Sequence, residues 1–237
     1  PKAAEMEAEL NTRYGGKSDY DFYLKRHTGF EIKESLKFLA SRAPLVTGGR
    51  REWENISLVE GLGVPTMRRV AFGERKFACF ELRSFLITEA IPDAVPMDNY
   101  IRRHYSGSPG ADAVREKRAL LWDLGSLVRR LHAARLTHMD LYLNHIFVRE
   151  TSQGEKVLHL IDLQRVARRW FAPRRWIVKD LAALVFSGRG LPLTRTDYAR
   201  VFMAYFDGKF SPEDRRLVAR ALARARAMAL RHPPPPA

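Results

Sequence analysis

Residues 137–150, "THMDLYLNHIFVRE", set His138 and Asp140 in a polar run directly before the apolar "IFV". A core strand needs no such preamble, whereas a catalytic loop feeding a strand does. Asp162, in "LIDLQ", follows Asp140 by 22 positions, enough for two short strands and a turn. Far upstream stand Lys25, in "FYLK", and Glu52, early in a segment with helical periodicity. An ammonium, a carboxylate to steady it, a second carboxylate for a hard cation and a third on a loop make the set that phosphoryl transfer uses. That reaction depends on positioning and on neutralising the charge spread over the γ-phosphate. In this scheme Lys25 holds the α- and β-phosphates of ATP with Glu52 beside it, and Asp162 holds Mg2+. Asp140 takes or orients the proton of an acceptor hydroxyl, an effect on the order of 10²–10⁴-fold. The run "LITEAI" passes the adenine edge as backbone, through Glu89 and Ile91.

"HMDLYLNH" has the H-x-D-x-x-x-x-N skeleton of the kinase catalytic loop, with His145 in the last position. "LIDLQ" stands where kinases carry D-F-G, and "FYLK" where they carry V-A-I-K. Each is weak alone. Lys25 by itself reads as a surface residue of a strand, Asp162 as a strand-end cap and His138 as a semi-buried structural histidine, so His138 stays out of the catalytic set. In this order, on the expected elements, they reinforce one another. Glu54 competes with Glu52 for Lys25, because two residues apart on a helix they cannot share a face. No G-x-G-x-x-G precedes Lys25, only Gly15 and Gly16, which reads either as truncation of the N-terminus or as weakened nucleotide binding. Asp180, 18 positions after Asp162, reads as a helix cap or, like the matching aspartate of the kinase fold, as a brace of the catalytic loop. So short an activation segment suits a small molecule or glycolipid better than a peptide.

The elements that must position these residues follow from periodicity. "DFYLKRH" alternates as a strand, and "RREWENISLVEGLGVP" recurs as a helix through Trp53, Ile56, Val59 and Leu62, stopped by Gly and Pro. "RRVAFG" and "KFACFELRSFLITEAI" read as strands around a "GERK" turn, and "PMDNYIRRHY" as a short helix. Residues 112–136 carry an apolar stripe of Leu120, Leu124, Leu127, Val128 and Leu131, the strongest helix signal of the chain. "IFVRE" and "KVLHLID" make a hairpin across "TSQG". Helices follow in "WIVKDLAALVFS", "RTDYARVFMAYFDG" and a segment opened by Ser211 as N-cap and Pro212. Strands with one helix, then mostly helices, is an α+β pattern in two lobes.

The 237 residues, 46% hydrophobic, suffice for one large domain or two lobes. The run "LAALVF" falls well short of the roughly 20 residues that cross a bilayer. The charged start lacks the apolar stretch of a signal peptide, and its opening on Pro1 allows a fragment. The single cysteine, Cys79, excludes an internal disulfide or a cysteine-built zinc site and reads as a core thiol of a cytoplasmic chain. Forty-one Lys and Arg against 27 Asp and Glu give +14. Such a field draws polyanions to the chain or simply solvates its surface. No nucleic-acid motif accompanies it, so no nucleic acid is expected as partner.

Taken together, "YLKRH", "REWENISLVEGLGVPT", "HMDLYLNHIFV", "IDLQR" and "RWIVKDLAALVFS" resemble the lipopolysaccharide kinase family, the Kdo and core heptose kinases of the protein-kinase-like superfamily. The resemblance covers roughly residues 20–190, and the D-x-Y-x-x-H loop is its most specific part. It implies a small β-rich N-lobe and a mainly helical C-lobe, ATP and Mg2+. The implied acceptor is an anionic glycolipid, lipopolysaccharide core, met at the cytoplasmic face of the inner membrane. By the same resemblance Lys25 is the ATP lysine, Glu52 its helix partner, Asp140 the catalytic aspartate and Asp162 the metal aspartate. His145 replaces the second Mg2+ ligand; since imidazole suits Mg2+ poorly, His145 as a phosphate-orienting group and Asn144 as the oxygen donor stay open. The expected division is an N-lobe over 1–91, a C-lobe over 92–232 and a Pro-rich tail over 233–237. Two other functions remain: a small-molecule kinase of the aminoglycoside or choline type, and a pseudokinase serving as a basic membrane- or partner-binding module.

Overall fold

The computed structural model describes residues 21–28, 46–77, 81–108, 110–171 and 173–231. Cys79, Gly15, Gly16 and the tail over 233–237 lie outside the described residues. The first part is a three-stranded antiparallel sheet of β1 (Phe22–Thr28), β2 (Arg69–Phe77) and β3 (Glu81–Glu89), ordered β1-β3-β2, with helix α1 (Gly48–Glu60) packed on it. Then come β4 (Ala94–Pro96), α2 (Met97–His104), α3 (Ala111–Ala133), β5 (Leu136–Thr137), β6 (Ile146–Glu150), β7 (Lys156–Leu160) and β8 (Ala167–Arg168). Helices α4 (Pro173–Ser187), α5 (Arg195–Tyr205) and α6 (Pro212–Arg231) complete the chain. Short strands pair as β4-β6-β7 and β5-β8, and single 3-10 turns sit at Leu143–His145 and Leu163–Arg165. This is the α+β arrangement expected, sheet-rich first and mostly helical after.

The caps obey local chemistry. Thr47 Oγ1 accepts from the Arg50 N–H at the start of α1 and donates to Glu74 on β2, so the helix is tied to the sheet at its first turn. Thr194 with Asp197, and Ser211 with Asp214, close reciprocal caps on α5 and α6. The α3 stripe is buried throughout. At Gly125 an added Cβ would lie 2.3 Å from the Val201 carbonyl oxygen and 2.7 Å from the Ala204 Cβ, so glycine lets α5 lie directly on α3. On an exposed helix Gly→Ala stabilises by about 1 kcal/mol. Here Gly125→Ala is expected to destabilise by about 1–3 kcal/mol through overpacking, read as a lowered Tm; a raised Tm would show that the two helices can part.

One expectation is corrected. "GERK" is no turn: β2 runs unbroken through it to Phe77, with Gly73 paired to Phe85 on β3. A Cβ at Gly73 would lie 2.4 Å from the Phe85 ring, so this glycine makes room for a cross-strand phenyl group and does not reverse the chain. The buried face of α1 is Gly49, Glu52, Asn55, Ile56 and Val59; Trp53 sits on its flank, under the Arg69 guanidinium and beside Phe72.

The sheet-bearing and helical parts are joined where the site forms. Asn55 donates from Nδ2 to the carbonyls of Leu163 (2.7 Å) and Val166 (2.9 Å), and Thr66 Oγ1 donates to Leu160 (2.6 Å). These bonds lock the middle of α1 and its exit loop onto β7 and the turn that follows.

Candidate active site

Strand pairing puts Lys25 opposite Leu86, and its side chain reaches off the sheet to α1 and to the end of β7. Its Nζ lies 3.0 Å from Glu52 Oε2 and 2.5 Å from Asp162 Oδ1. Residues 137 positions apart in the chain thus meet in one ion-pair cluster. Glu52 is only 1% exposed, and burial pushes its carboxyl above the ordinary value despite Lys25. Burial also opposes the charge on Lys25, but the attraction of Glu52 and then Asp162 outweighs it and holds the ammonium above its usual range. Asp162 is likewise resisted by burial, and the Lys25 bond and charge carry its carboxyl below the usual value.

Glu54 points away: its side chain is 60% exposed and faces Arg50 one turn back. Glu52→Gln is therefore expected to lower phosphotransfer at least tenfold, since Lys25 loses its buried counter-charge. Glu54→Gln is expected to leave it within twofold. Initial rates of both variants decide, and the reverse order would assign the pairing to Glu54.

The catalytic loop is held from beneath by Asp180 of α4. Its carboxylate, fully buried, accepts from the backbone N–H of His138 (2.6 Å) and of Met139 (2.8 Å). Met139 is consequently held at φ 75°, a left-handed conformation that few non-glycine residues keep without such support. Behind Asp180, His132 on α3 donates from Nε2 to the carboxylate (3.3 Å) and accepts the Tyr205 hydroxyl at Nδ1 (2.9 Å). His138 is buried and donates from Nε2 to the Ile161 carbonyl; burial lowers its pKa, so it is neutral and joins the loop to β7. Neither histidine has access to a substrate.

Asp140 projects from this braced loop, and the Arg165 guanidinium donates to its Oδ2 at 2.6 Å. His145 lies 2.8 Å by Nδ1 from the Asp140 carbonyl. A carbonyl only accepts, so Nδ1 carries a proton, and Nε2 lies 4.0 Å from Asp162 Oδ2. Asn144 is exposed on the 3-10 turn, and the side chain facing Asp162 is that of His145. Asp162 itself has φ 55°, a left-handed conformation that Asp tolerates and that breaks β7 at the point where its carboxylate must turn toward Lys25. Among the described residues no group of three or more His, Cys, Asp or Glu could hold a metal alone. Asp162, whose side chain is 38% exposed, stands with the His145 imidazole beside it.

At the end of β3 the Glu89 N–H already donates to the Arg68 carbonyl and its carboxylate pairs with Arg68. The Ala90 N–H donates to Asp21 (2.7 Å), and the Ile91 carbonyl accepts from Ala94. Sequence reasoning did not find Asn55, His132, Tyr205 or Arg165. Asn55 alone left a signal, since it follows Glu52 by three positions and so shares its helix face.

A family model for the "Lipopolysaccharide kinase (Kdo/WaaP) family" matches residues 3–205. A "Lipopolysaccharide core heptose(I) kinase WaaP" of Escherichia coli is 36% identical over 207 residues, covering 85% of this chain and 76% of the relative. The protein of the same name from Pseudomonas aeruginosa is 34% identical over 200 residues, covering 83% and 72%. A solved structure described as "WaaP in complex with acyl carrier protein" superposes with a TM-score of 0.65 at 33% identity, covering 77% of this chain and 76% of that one. With the model spanning 3–205 and both relatives aligned over more than four-fifths of the sequence, this chain belongs to the lipopolysaccharide kinase (Kdo/WaaP) family.

Proposed function

We propose that the chain transfers the γ-phosphoryl group of Mg·ATP to a heptose hydroxyl of the lipopolysaccharide core. The observation that carries this reading is the convergence of Lys25, Glu52 and Asp162 in one ion-pair cluster beside a loop that presents Asp140. Lys25, aligned by Glu52, binds the α- and β-phosphates. The Glu89 carbonyl and the Ile91 N–H receive the adenine edge. Asp162 would hold Mg2+, which would neutralise developing phosphate charge. His145, fixed by its bond to the Asp140 backbone, completes the metal environment or orients phosphate through Nε2. Asp140 orients the acceptor hydroxyl and takes its proton, and Asp180 keeps its backbone in place. The lobes divide between residues 91 and 92, at the adenine-binding backbone. The test is transfer of labelled phosphate from ATP to purified core oligosaccharide: label on heptose is expected, while label on Kdo, or none, would reject the heptose assignment.

The acceptor is membrane-borne in this reading, and one surface suits a lipid headgroup layer. Trp170 and Phe171 are 62% and 89% exposed between Arg168 and Arg169 on one side and Arg174 and Arg175 on the other. Arg135 and Arg168 lie over the Trp170 ring. Aromatic tips flanked by cations favour an anionic interface, and no helix among the described residues is long and apolar enough to cross a membrane. Binding to vesicles containing anionic lipid is expected to weaken as salt rises and to fall about tenfold in a Trp170→Ala, Phe171→Ala double variant. Binding unmoved by either change would place the contact elsewhere.

A further inference from the structure

Strands β5 and β8 pair antiparallel, with Thr137 opposite Ala167. The chain leaves β5 toward Asp140 at the same end at which it enters β8 from Arg165, so the two residues stand close although 25 positions separate them. Both approaches are fixed. Asp180 holds the backbone before Asp140 through the N–H groups of His138 and Met139. The turn carrying Arg165 is closed by the Val166 N–H on the Leu163 carbonyl, and Asn55, buried on α1, donates to the carbonyls of Leu163 and Val166 on either side. From this support Arg165 donates from Nη1 to Asp140 Oδ2 at 2.6 Å. Among the described residues Asp140 Oδ1 accepts no hydrogen bond, and Arg165 meets none of Lys25, Glu52 and Asp162. The pair is poorly placed to stabilise the fold. The Arg165 side chain is 58% exposed, and so open an ion pair contributes little to stability.

We propose that Arg165 is a positioning residue for Asp140: by holding Oδ2 it fixes the rotation of the carboxylate and leaves Oδ1 for the acceptor hydroxyl. The inference rests on the reading of Asp140 as the residue that meets the acceptor. The terminal torsion of an aspartate is broad, so a carboxylate without a second partner spreads its oxygens over many directions. A charge-assisted bond from a guanidinium is short and directional and removes that freedom. Asn55 takes part through the backbone. It follows Glu52 by three positions, so one face of α1 both pairs with Lys25 and anchors the turn that brings Arg165 to Asp140. The opposite role is a latch, in which the guanidinium blocks Asp140 until the acceptor displaces it. A latch has to cover the oxygen that the hydroxyl uses, and among the described residues only Oδ2 is engaged.

The test compares wild type, Arg165→Ala and Arg165→Lys in steady-state transfer from ATP to core oligosaccharide, with added guanidinium chloride or, as control, sodium chloride at the same concentration. Arg165→Ala is expected to lower kcat about 10–100-fold, as a misplaced catalytic group does. Both KM values are expected to stay within about threefold, and Tm within about 2 °C, because the lost pair is exposed. Arg165→Lys is expected to recover part of the lost kcat. Millimolar guanidinium is expected to raise kcat of Arg165→Ala at least about threefold and to leave wild type unchanged. A residue that only shaped the turn would not be rescued from solution. A rise in kcat of Arg165→Ala would make Arg165 a latch, and an unchanged kcat, with or without a raised KM, would remove the positioning role. A loss of kcat that neither lysine nor guanidinium recovers would assign Arg165 to the turn's structure. Each of these results overturns the proposal. Wild type that transfers nothing to core oligosaccharide rejects the heptose kinase reading and this proposal with it, whereas active wild type beside equally active variants rejects this proposal alone.

Discussion

Asp140→Ala leaves Mg·ATP affinity within about twofold of wild type and lowers phosphotransfer by about 10²–10⁴-fold. The separation follows from what the side chain touches. Its carboxylate meets Arg165 and neither Lys25 nor Glu52, so the nucleotide's ion-pair cluster survives its removal. The backbone contacts of the loop also survive. His138 and Met139 still donate to Asp180, and the Asp140 carbonyl, which alanine retains, still fixes His145. What disappears is the group that orients the acceptor hydroxyl. Calorimetric titration with a non-hydrolysable ATP analogue beside initial-rate measurements decides the matter. Equal loss of binding and rate would assign Asp140 to nucleotide binding or to folding.

Asp162→Asn abolishes the Mg2+-dependent stabilisation by ATP and reduces activity by at least 10³-fold. Ligand at a hundred times its Kd stabilises by roughly 2.7 kcal/mol, a rise of about 5–10 °C in Tm at roughly 2–4 °C per kcal/mol for a chain of this size. Asparagine is the informative replacement, because it tolerates the left-handed backbone at this position almost as well as aspartate. It also removes the charge without removing the shape. Lys25 keeps Glu52, so no buried cation is orphaned and the ligand-free Tm should move by no more than a few degrees. A wild-type shift that needs no Mg2+, or one that persists in the variant, would take Asp162 out of the metal site. No shift in wild type would favour the pseudokinase reading.

The sequence by itself determined the local elements and the identity of the chemical groups. Periodicity of 2 or 3.6 and the capping residues depend on neighbours a few positions away, so β1, α3, the β6–β7 hairpin and the capped α6 are legible without a fold. The catalytic loop was equally legible, because its spacing is a property of one continuous stretch. "GERK" misled for the same local reason, since glycine marks both a turn and a close cross-strand approach and only the presence of Phe85 separates them. Tertiary structure alone decided which of two candidates faces the site. Glu52 and not Glu54 meets Lys25, and His145 and not Asn144 faces Asp162. Those choices turn on the rotation of a helix and of a 3-10 turn about their axes, set by packing against distant segments. Asn55 reaching Leu163 and Arg165 reaching Asp140 are invisible to any window along the chain. Such contacts follow from burial of α1 and α4 against the rest of the molecule, and only the folded core brings their partners within reach.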